Sequence, residues 1–578
     1  MKRNRFREIV VILSLLALLS ACTGTGTVTG DADVAAPLPS SEPTPAENAE
    51  EPDEGASDPE EAAGTFKKYD PPIEFSFVGE TYPTLFFDGG SSYESNSVFD
   101  AYERDFGIRL KKAWTVASNQ YSQKVQLTIA SGEMPDMMRV NAIELNQLVE
   151  SDMLADLTEV YEQYATEQTK EFMMVDGGKQ LNSARINGKL MAIPYTDSPY
   201  NAAQFIYIRK DWLDALGLLE PKTMEDLLAI SEAFTTRDPD GNGKDDTYGI
   251  AAQKEIYNSN YNFLGIFYGY HAYPQIWIKD DSGKLVYGSI QPEMKDALRV
   301  LQELYRTGQI DPEFYTKDHA KESQLLYVDQ IGIAFGPFWA SNSPLWSVAV
   351  KNRVLTQDWS VYPLVSADDR PAKTVAPLGV KGYYVVSKES KNPEALIHLL
   401  NHWIDIDSRP LTPETRPYKY GNLNQGLWQL NPVVVTPLDQ YARLGGIMSK
   451  AIEQEDISLL ENDVLGELMY KETMSFLEGD DEKWGTWMKT RPGGSMEHMH
   501  RYLAEDRYMF DEFTGTPTPA MMAKKPILDQ RELEVITSII IGNAPLDAFD
   551  SFVEEWKALG GDEITAEVNA WYEAQNNP

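Results

Sequence analysis

From Pro71 to Val140 the apolar residues switch between two repeats. Ile73-Glu74-Phe75-Ser76-Phe77 alternates with a period of two, as a strand buried on one side does. Val98, Phe99, Tyr102 and Phe106 recur at helical spacing, and Gly107 supplies the residue that closes such a helix. Ile108 to Trp114 reads as a second strand. Tyr121, Val125 and Ile129 mark a second helix ending at Ser131-Gly132, and Pro135 to Val140 a third strand. Strand, helix, strand, helix, strand predicts a parallel sheet with right-handed crossovers. Ligands of such sheets sit beyond the carboxyl ends of the strands. That rule places the residues after Val78, around Trp114 and at Arg139-Val140-Asn141 on one rim.

A second unit begins near Tyr195. Phe205 to Ile208 reads as a strand and Lys210 to Leu216 as a helix; Thr223 and Asp226 have the spacing of a capping box at the start of another. Tyr383 to Ser387 predicts a strand, and Asn392-Pro393-Glu394 a helix start with Asn as cap. Phe549, Phe552, Val553 and Trp556 line a helix that Gly560-Gly561 should terminate, and Ile564, Val568 and Trp571 line the last one.

Composition narrows the setting. Lys2, Arg3, Arg5 and Arg7 precede an apolar run from Ile9 to Leu19, too short to span a bilayer, and then Ser20-Ala21-Cys22. These residues resemble a bacterial lipoprotein signal, which implies that Cys22 is lipidated and becomes the mature N-terminus. Two acyl chains, at about 0.8 kcal/mol per buried methylene, give stable anchoring. Cys22 is the only cysteine, so no disulfide supports the fold. Residues 23–69 are rich in Thr, Gly, Ser, Pro, Ala and acid, and predict a disordered, extended tether. With 51 Lys+Arg against 89 Asp+Glu the net charge is −38, which does not suit nucleic acid or anionic lipid.

The sharpest internal motif is Asp238-Pro-Asp240-Gly-Asn242-Gly-Lys244-Asp245-Asp246. Side-chain oxygens at positions 1, 3, 5 and 9, with glycines between, wrap a hard cation, and the Lys244 carbonyl at position 7 points inward. The motif resembles most of an EF-hand calcium loop, but position 12 is Gly249, not the bidentate Glu. Asp246 or a neighbouring carbonyl then has to complete the shell. A structural calcium ion is expected, tying a helix ending near Thr236 to a strand starting near Tyr248.

Several longer stretches are similar to one family. They are Ala130-Ser-Gly-Glu-Met-Pro-Asp136, Asn187-Gly-Lys-Leu-Met-Ala-Ile-Pro-Tyr195, Ile208-Arg-Lys-Asp-Trp-Leu-Asp-Ala-Leu-Gly217, Asp238 through Gly249, and Pro545-Leu-Asp-Ala-Phe-Asp-Ser-Phe-Val-Glu-Glu-Trp556. From about Ile73 to Tyr572 the chain resembles the substrate-binding lipoproteins of bacterial ABC importers for sugars, family 1, particularly long Paenibacillus-like ones. The resemblance implies an α/β, two-lobed, periplasmic-binding-protein-like (type II) clamshell with hinge crossings near Pro194 to Ala202 and Pro377 to Tyr383. It divides the chain into a signal at 1–21, a linker at 22–69, a first lobe at 70–195, a second lobe at 196–375, and a largely helical remainder at 376–578 returning to both lobes. It also implies a monomer on the extracellular face of the membrane, with permease subunits as partners. In relatives that bind acidic oligosaccharides the matching loop holds calcium, and some have an acid where this chain has Thr247.

A sugar site needs flat aromatic groups for C–H faces and planar polar groups for hydroxyls. With 12 Trp and 30 Tyr the chain is well supplied. The candidates are Trp114 and Asn141 on the first rim, Tyr195 and Asp197 at the crossing, Tyr268, Tyr270 and Trp277 in the second lobe, Phe338-Trp339 after Gly336-Pro337, and Tyr383. Trp403, Trp556 and Trp571 fall within apolar helical faces and read as packing. His398 and His402 have the i, i+4 spacing of a zinc pair on an apolar helix without a supporting motif, and His498-x-His500 faces two sides. The leading reading is a tethered carbohydrate-capture protein without catalytic activity. A surface-anchored glycoside hydrolase and a ligand-sensing lipoprotein are the alternatives. The acidic balance favours a neutral saccharide over a uronate, with Arg139 and Arg209 as the residues that would reverse it.

Overall fold

In the computed structural model, which describes residues 68–81, 85, 87, 91–410, 412–413, 415, 427–461 and 463–576, the alternating stretches pair as their spacing predicts. Strand Ile73–Thr81 lies between strands Ile108–Ala117 and Met137–Val140 and runs parallel to both, with Phe77 opposite Met137. Helix Ser97–Phe106 starts where the Asn96 side chain accepts from the amides of Val98 and Phe99. It ends at Gly107 (φ 67°), where a Cβ would stand 2.3 Å from the Tyr69 carbonyl oxygen. Strand Val380–Val386 then joins the parallel trio antiparallel, Tyr384 opposite Arg139, and strand Ile193–Thr196 pairs with its far side.

One sequence expectation fails here. The helix expected to be capped by Asn392 begins later, as Ala395–Ser408, without a side-chain cap. The Asn392 amide instead donates to Glu394 Oε1 at 3.3 Å, which also accepts from the Tyr69 hydroxyl at 2.8 Å.

The second sheet has the order Trp359–Tyr362, Gln204–Arg209, Ile331–Pro337, Tyr248–Ile250. Gln204–Arg209 is buried along its whole length, and its alternating side chains feed two cores. Ile206 and Ile208 pack with Trp212, Phe234 and the helices Pro519–Ile540 and Ala548–Trp556. Phe205 and Tyr207 pack with Trp359 and the helices Gln440–Glu453, Trp484–Thr490 and Ser495–Ala504. The expected stop at Gly560-Gly561 is a turn through Gly560 (φ 130°), after which the chain resumes as helix Asp562–Asn576.

Residues 61–578 form one compact unit, and within it the chain passes between the two sheets at 197–203, 377–379 and 436–439. These passages are stapled together. Asp197 N donates to Gly379 O at 2.7 Å. The Gln180 side-chain amide donates to the carbonyls of Asp197, Leu378 and Gly379 at 3.0–3.1 Å. Thr436 N donates to Thr196 Oγ1 at 3.0 Å, tying the third passage to the first. Among the described residues no helix is long and apolar enough to cross a membrane. Cys22, the signal at 1–21 and the linker up to residue 67 lie outside the described residues.

Candidate functional site

Where the passages meet, the lobes face each other across a crevice of about 530 Å³. Strand Ile193–Thr196 contributes Tyr195, the first passage Asp197 and Asn201, strand Val380–Val386 Lys381, and the run into the third passage residues 434–437. Phe338, Trp339 and Tyr441 face them from the second lobe. Asp197 is held from three directions: by Lys381 Nζ at 2.6 Å, Ser198 N at 2.9 Å and Asn201 Nδ2 at 3.0 Å. The half-buried Tyr195 ring takes the Arg139 guanidinium on its face at 5.0 Å and meets Tyr384 at 5.7 Å. Phe338 and Tyr441 lean together with ring centroids 4.7 Å apart. Flat rings on both walls and orientable amide and carboxylate groups between them can stack and hydrogen-bond a pyranose.

An adjoining groove of about 140 Å³ shares Tyr195 and Val434 with the crevice and continues along the first lobe. In it Arg139 Nη2 meets Glu80 at 2.6 Å and lies between the Tyr121 and Tyr195 rings, 5.0 Å from each. Lys112 lies over the Tyr93 ring at 4.8 Å, and burial pushes its ammonium down to about 8.

Of the sequence candidates, Tyr195, Asp197, Phe338 and Trp339 come together in the crevice. The others are placed elsewhere and are corrected on that ground. Asn141 caps helix Ala142–Glu150 in a reciprocal capping box with Glu144, so its side chain is already used. Trp114 packs on Tyr121 at 5.4 Å, and Tyr383 is buried with its hydroxyl on Ser183 Oγ at 3.1 Å. Tyr268 lies in helix Leu264–Gly269, which is buried on every side, and Trp277 packs at a tilt against Tyr287 inside the same core. Tyr270 packs against that core from its edge. The sequence reading missed Asn201, Lys381, Tyr441 and Lys489, and assigned Trp403 to packing alone. Trp403 does pack, donating Nε1–H to Val435 O at 2.7 Å, yet its edge lines the crevice.

Other signals resolve as structure. Arg209 pairs with Asp211 and Asp329 at 2.7 and 2.8 Å beneath Trp212, away from the crevice. His398 and His402 sit against the rings of Tyr164 and Phe106, and burial pushes both imidazoles down to about 4.

The Asp238–Asp246 loop joins helix Met224–Thr236 to strand Tyr248–Ile250, with left-handed backbone at Asp238, Gly241 and Gly243. Asp238 accepts from the amides of Asn242 (3.1 Å) and Gly243 (3.0 Å). The Asn242 side-chain nitrogen bridges Asp240 Oδ2 at 2.7 Å and Asp246 Oδ1 at 3.0 Å. Burial, with Asp238 and Asp246 nearby, raises the Asp240 carboxyl above its ordinary range. Among the described residues no three His, Cys, Asp or Glu side chains are grouped closely enough to hold a metal ion, and in this loop the Asn242 amide stands between the Asp240 and Asp246 carboxylates. Rotating that amide by half a turn replaces its nitrogen with an oxygen and leaves an all-oxygen donor set. Thr247 takes no part: its hydroxyl donates to Phe234 O at 2.7 Å.

Two α/β lobes joined by stapled passages, with an aromatic crevice at the junction, define a two-lobed binding protein of the type II solute-binding class. Residues 88–404, more than half of the chain, match the bacterial extracellular solute-binding proteins, and the chain belongs to that family. It is 25% identical to lipoprotein LipO of Bacillus subtilis over 488 residues, 82% of this chain and 88% of LipO. The fructooligosaccharide ABC transporter substrate-binding protein FusA of Streptococcus pneumoniae is 23% identical over 362 residues, 58% of this chain and 64% of FusA. FusA has also been solved as an EF-hand mutant, a structure that superimposes with a TM-score of 0.57 at 16% identity, over 88% of this chain and 100% of that one. The HMO-binding, ABC-transporter-associated solute-binding protein of Bifidobacterium longum infantis superimposes with a TM-score of 0.60 at 17% identity, over 87% of this chain and 99% of that one. At these identities the structural likenesses speak to the fold.

Proposed function

We propose that this chain captures a carbohydrate, an oligosaccharide in size, between its lobes and delivers it to the permease of an ABC importer. The observation that carries the reading is the crevice itself. Rings from both lobes (Tyr195 against Trp339, Phe338 and Tyr441) face each other across polar groups supplied by the passages that join the lobes. A ligand held there contacts both lobes and favours their closure by its differential affinity for the closed state. FusA, a relative, is named for fructooligosaccharide.

The chain works without catalysing a reaction in this reading. Hydrolysis requires a carboxyl pair about 5–9.5 Å apart, one of them free to donate a proton. Of the two carboxylates in the crevice lining, Asp197 is instead bound to Lys381, Ser198 and Asn201, and Asp407 has a partner of its own. Tethering comes from the lipobox-like Ser20-Ala21-Cys22, with the acid-rich linker as spacer and the chain acting as a monomer. Protein starting at Phe66 is titrated with a panel of oligosaccharides while tryptophan fluorescence and sugar chain length are followed. A fluorescence change with intact sugar is expected, and shortened sugar would replace this reading with the hydrolase.

The loop residues Asp238, Asp240, Asn242 and Asp246, with the Lys244 carbonyl, would hold a structural calcium ion. The ion would neutralise carboxylates that otherwise repel one another. In wild-type protein a chelator should lower the melting temperature, and Asp240→Ala should abolish that chelator-sensitive part. A melting curve indifferent to chelator removes calcium from the picture.

A further inference from the structure

Lys489 is a cation that the protein leaves unanswered. It lies on helix Trp484–Thr490 and lines the crevice, and its Nζ has neither a hydrogen-bond nor an ion-pair partner among the described residues. The other crevice lysine, Lys381, is paired with Asp197 at 2.6 Å. Glu472, whose field reaches Lys489, is already occupied by Lys483 Nζ at 2.9 Å and Thr486 Oγ1 at 2.8 Å. Asp407, also in the lining, has a partner of its own. A half-buried ammonium that faces the crevice without a contacting counter-charge fits a negative group arriving with the ligand.

The kind of anion can be narrowed. Dianionic phosphate is best met by guanidinium forks or several cations together. Here one unpaired point-charge ammonium, Lys489, shares the crevice with the Lys381–Asp197 pair and the Asp407 carboxylate, which suits a single negative charge. The whole-chain charge of −38 does not oppose this, because fields of exposed charges fade within about 8–10 Å at physiological salt. We propose that the crevice takes a saccharide bearing a carboxylate, and that Lys489 is the specificity-determining contact for it. The proposal rests on the capture reading above and reverses the preference for a neutral sugar drawn from composition.

The test uses calorimetric titration with two- to four-residue hexuronate oligosaccharides, each beside its fully methyl-esterified counterpart. At least one acid is expected to bind, with its ester at least tenfold weaker. Lys489→Met should weaken the acid at least tenfold and leave the ester unchanged, while Lys489→Arg, which keeps the charge, should stay within a few-fold of wild type. Affinity for the acid should also fall as pH rises through about 8, where burial places the Lys489 titration, and that step should be missing from Lys489→Met. The charged and titratable groups facing Lys489 are Glu472, Asp407, Asp197, Lys381 and Tyr441, with Lys112 in the adjoining groove. A pH step that survives in Lys489→Met belongs to one of them and overturns the assignment. Equal binding of acid and ester, or of neutral sugars alone, also overturns it but leaves the capture reading standing. A protein that binds no saccharide overturns both.

Discussion

The two lobes treat charge differently. On the first-lobe side of the crevice, cations are answered within the wall: Lys381 by Asp197 at 2.6 Å and Arg139 by Glu80 at 2.6 Å. Lys112, folded over the Tyr93 ring, is the exception. The second lobe pairs Arg209 and Lys483 in the same way, but leaves two ionisable groups without a contacting opposite charge. Lys489 stands alone in its wall, and Glu532 is buried in the core with no hydrogen-bond partner for either carboxylate oxygen. Burial pushes Glu532 up to about 7, and Glu322, on a different helix of that lobe, up to about 8. A paired wall is preorganised and costs little when ligand arrives. The other lobe carries charges whose cost depends on pH or on what binds, so ligand and proton effects should concentrate there.

The sharpest way to break this comparison is to loosen the staple both walls depend on. Gly379 has φ 72°, and a Cβ there would lie 2.5 Å from the Asp197 carbonyl oxygen and 2.9 Å from the Gln180 amide nitrogen. Gly379→Ala combines left-handed backbone strain with a backbone clash, and should cost about 3 kcal/mol of stability. Chemical denaturation measures it. An unchanged midpoint would mean that the passages tolerate separation.

Next in size is the pH response of the second-lobe core. Glu532 titrates near 4.5 when unfolded and near 7 when folded, so the native state holds its proton more tightly. Its contribution is fully present below pH 4.5, is lost as pH rises to about 7, and is flat beyond, a swing of about 3 kcal/mol. Glu532→Gln should flatten that part of the stability–pH curve and gain on wild type at pH 8. An identical slope in the variant would show that Glu532 is solvated in the native state.

How much of this could be read from the chain depends on the range of the cause. The first sheet's parallel strands, the cap at Gly107 and the Thr223–Asp226 capping box follow from spacings within a few residues, and they form where expected. The antiparallel strand Val380–Val386 completes that sheet from far along the chain, which local periodicity cannot signal. Tyr195 and Trp339 were legible because each follows a proline-marked break between regular elements. Tyr268 and Trp277 were misassigned because an aromatic residue looks alike in sequence whether it faces ligand or core. Lys381, Tyr441 and Lys489 come from separate segments that converge only through the third passage, at 436–439, which no local pattern announced.

The aromatic groups of the walls separate the lobes at a smaller scale. Trp339→Ala removes the larger platform from the second lobe and should weaken saccharide binding by about 2 kcal/mol, roughly thirtyfold. Tyr195→Ala removes a ring already covered on one face by Arg139, and should cost about 1 kcal/mol. Calorimetry on the two variants ranks them, and the reverse order would mean that the first-lobe wall dominates recognition.

The smallest effect should come from Lys381→Met. The Lys381 side chain is 53% exposed, and pairs this open to water contribute about 0–1 kcal/mol. Asp197 would still be held by Ser198 N and Asn201 Nδ2, so its carboxylate should keep its position and stability should change by less than about 1 kcal/mol. Removing the positive charge leaves the Asp197 carboxylate uncompensated by Lys381 on the crevice wall. Binding of a negatively charged saccharide should therefore weaken a few-fold while a neutral one is unaffected. If Lys381→Met proved more damaging to binding than Lys489→Met, the paired wall would be the one that reads ligand charge, and the contrast between the lobes would be inverted.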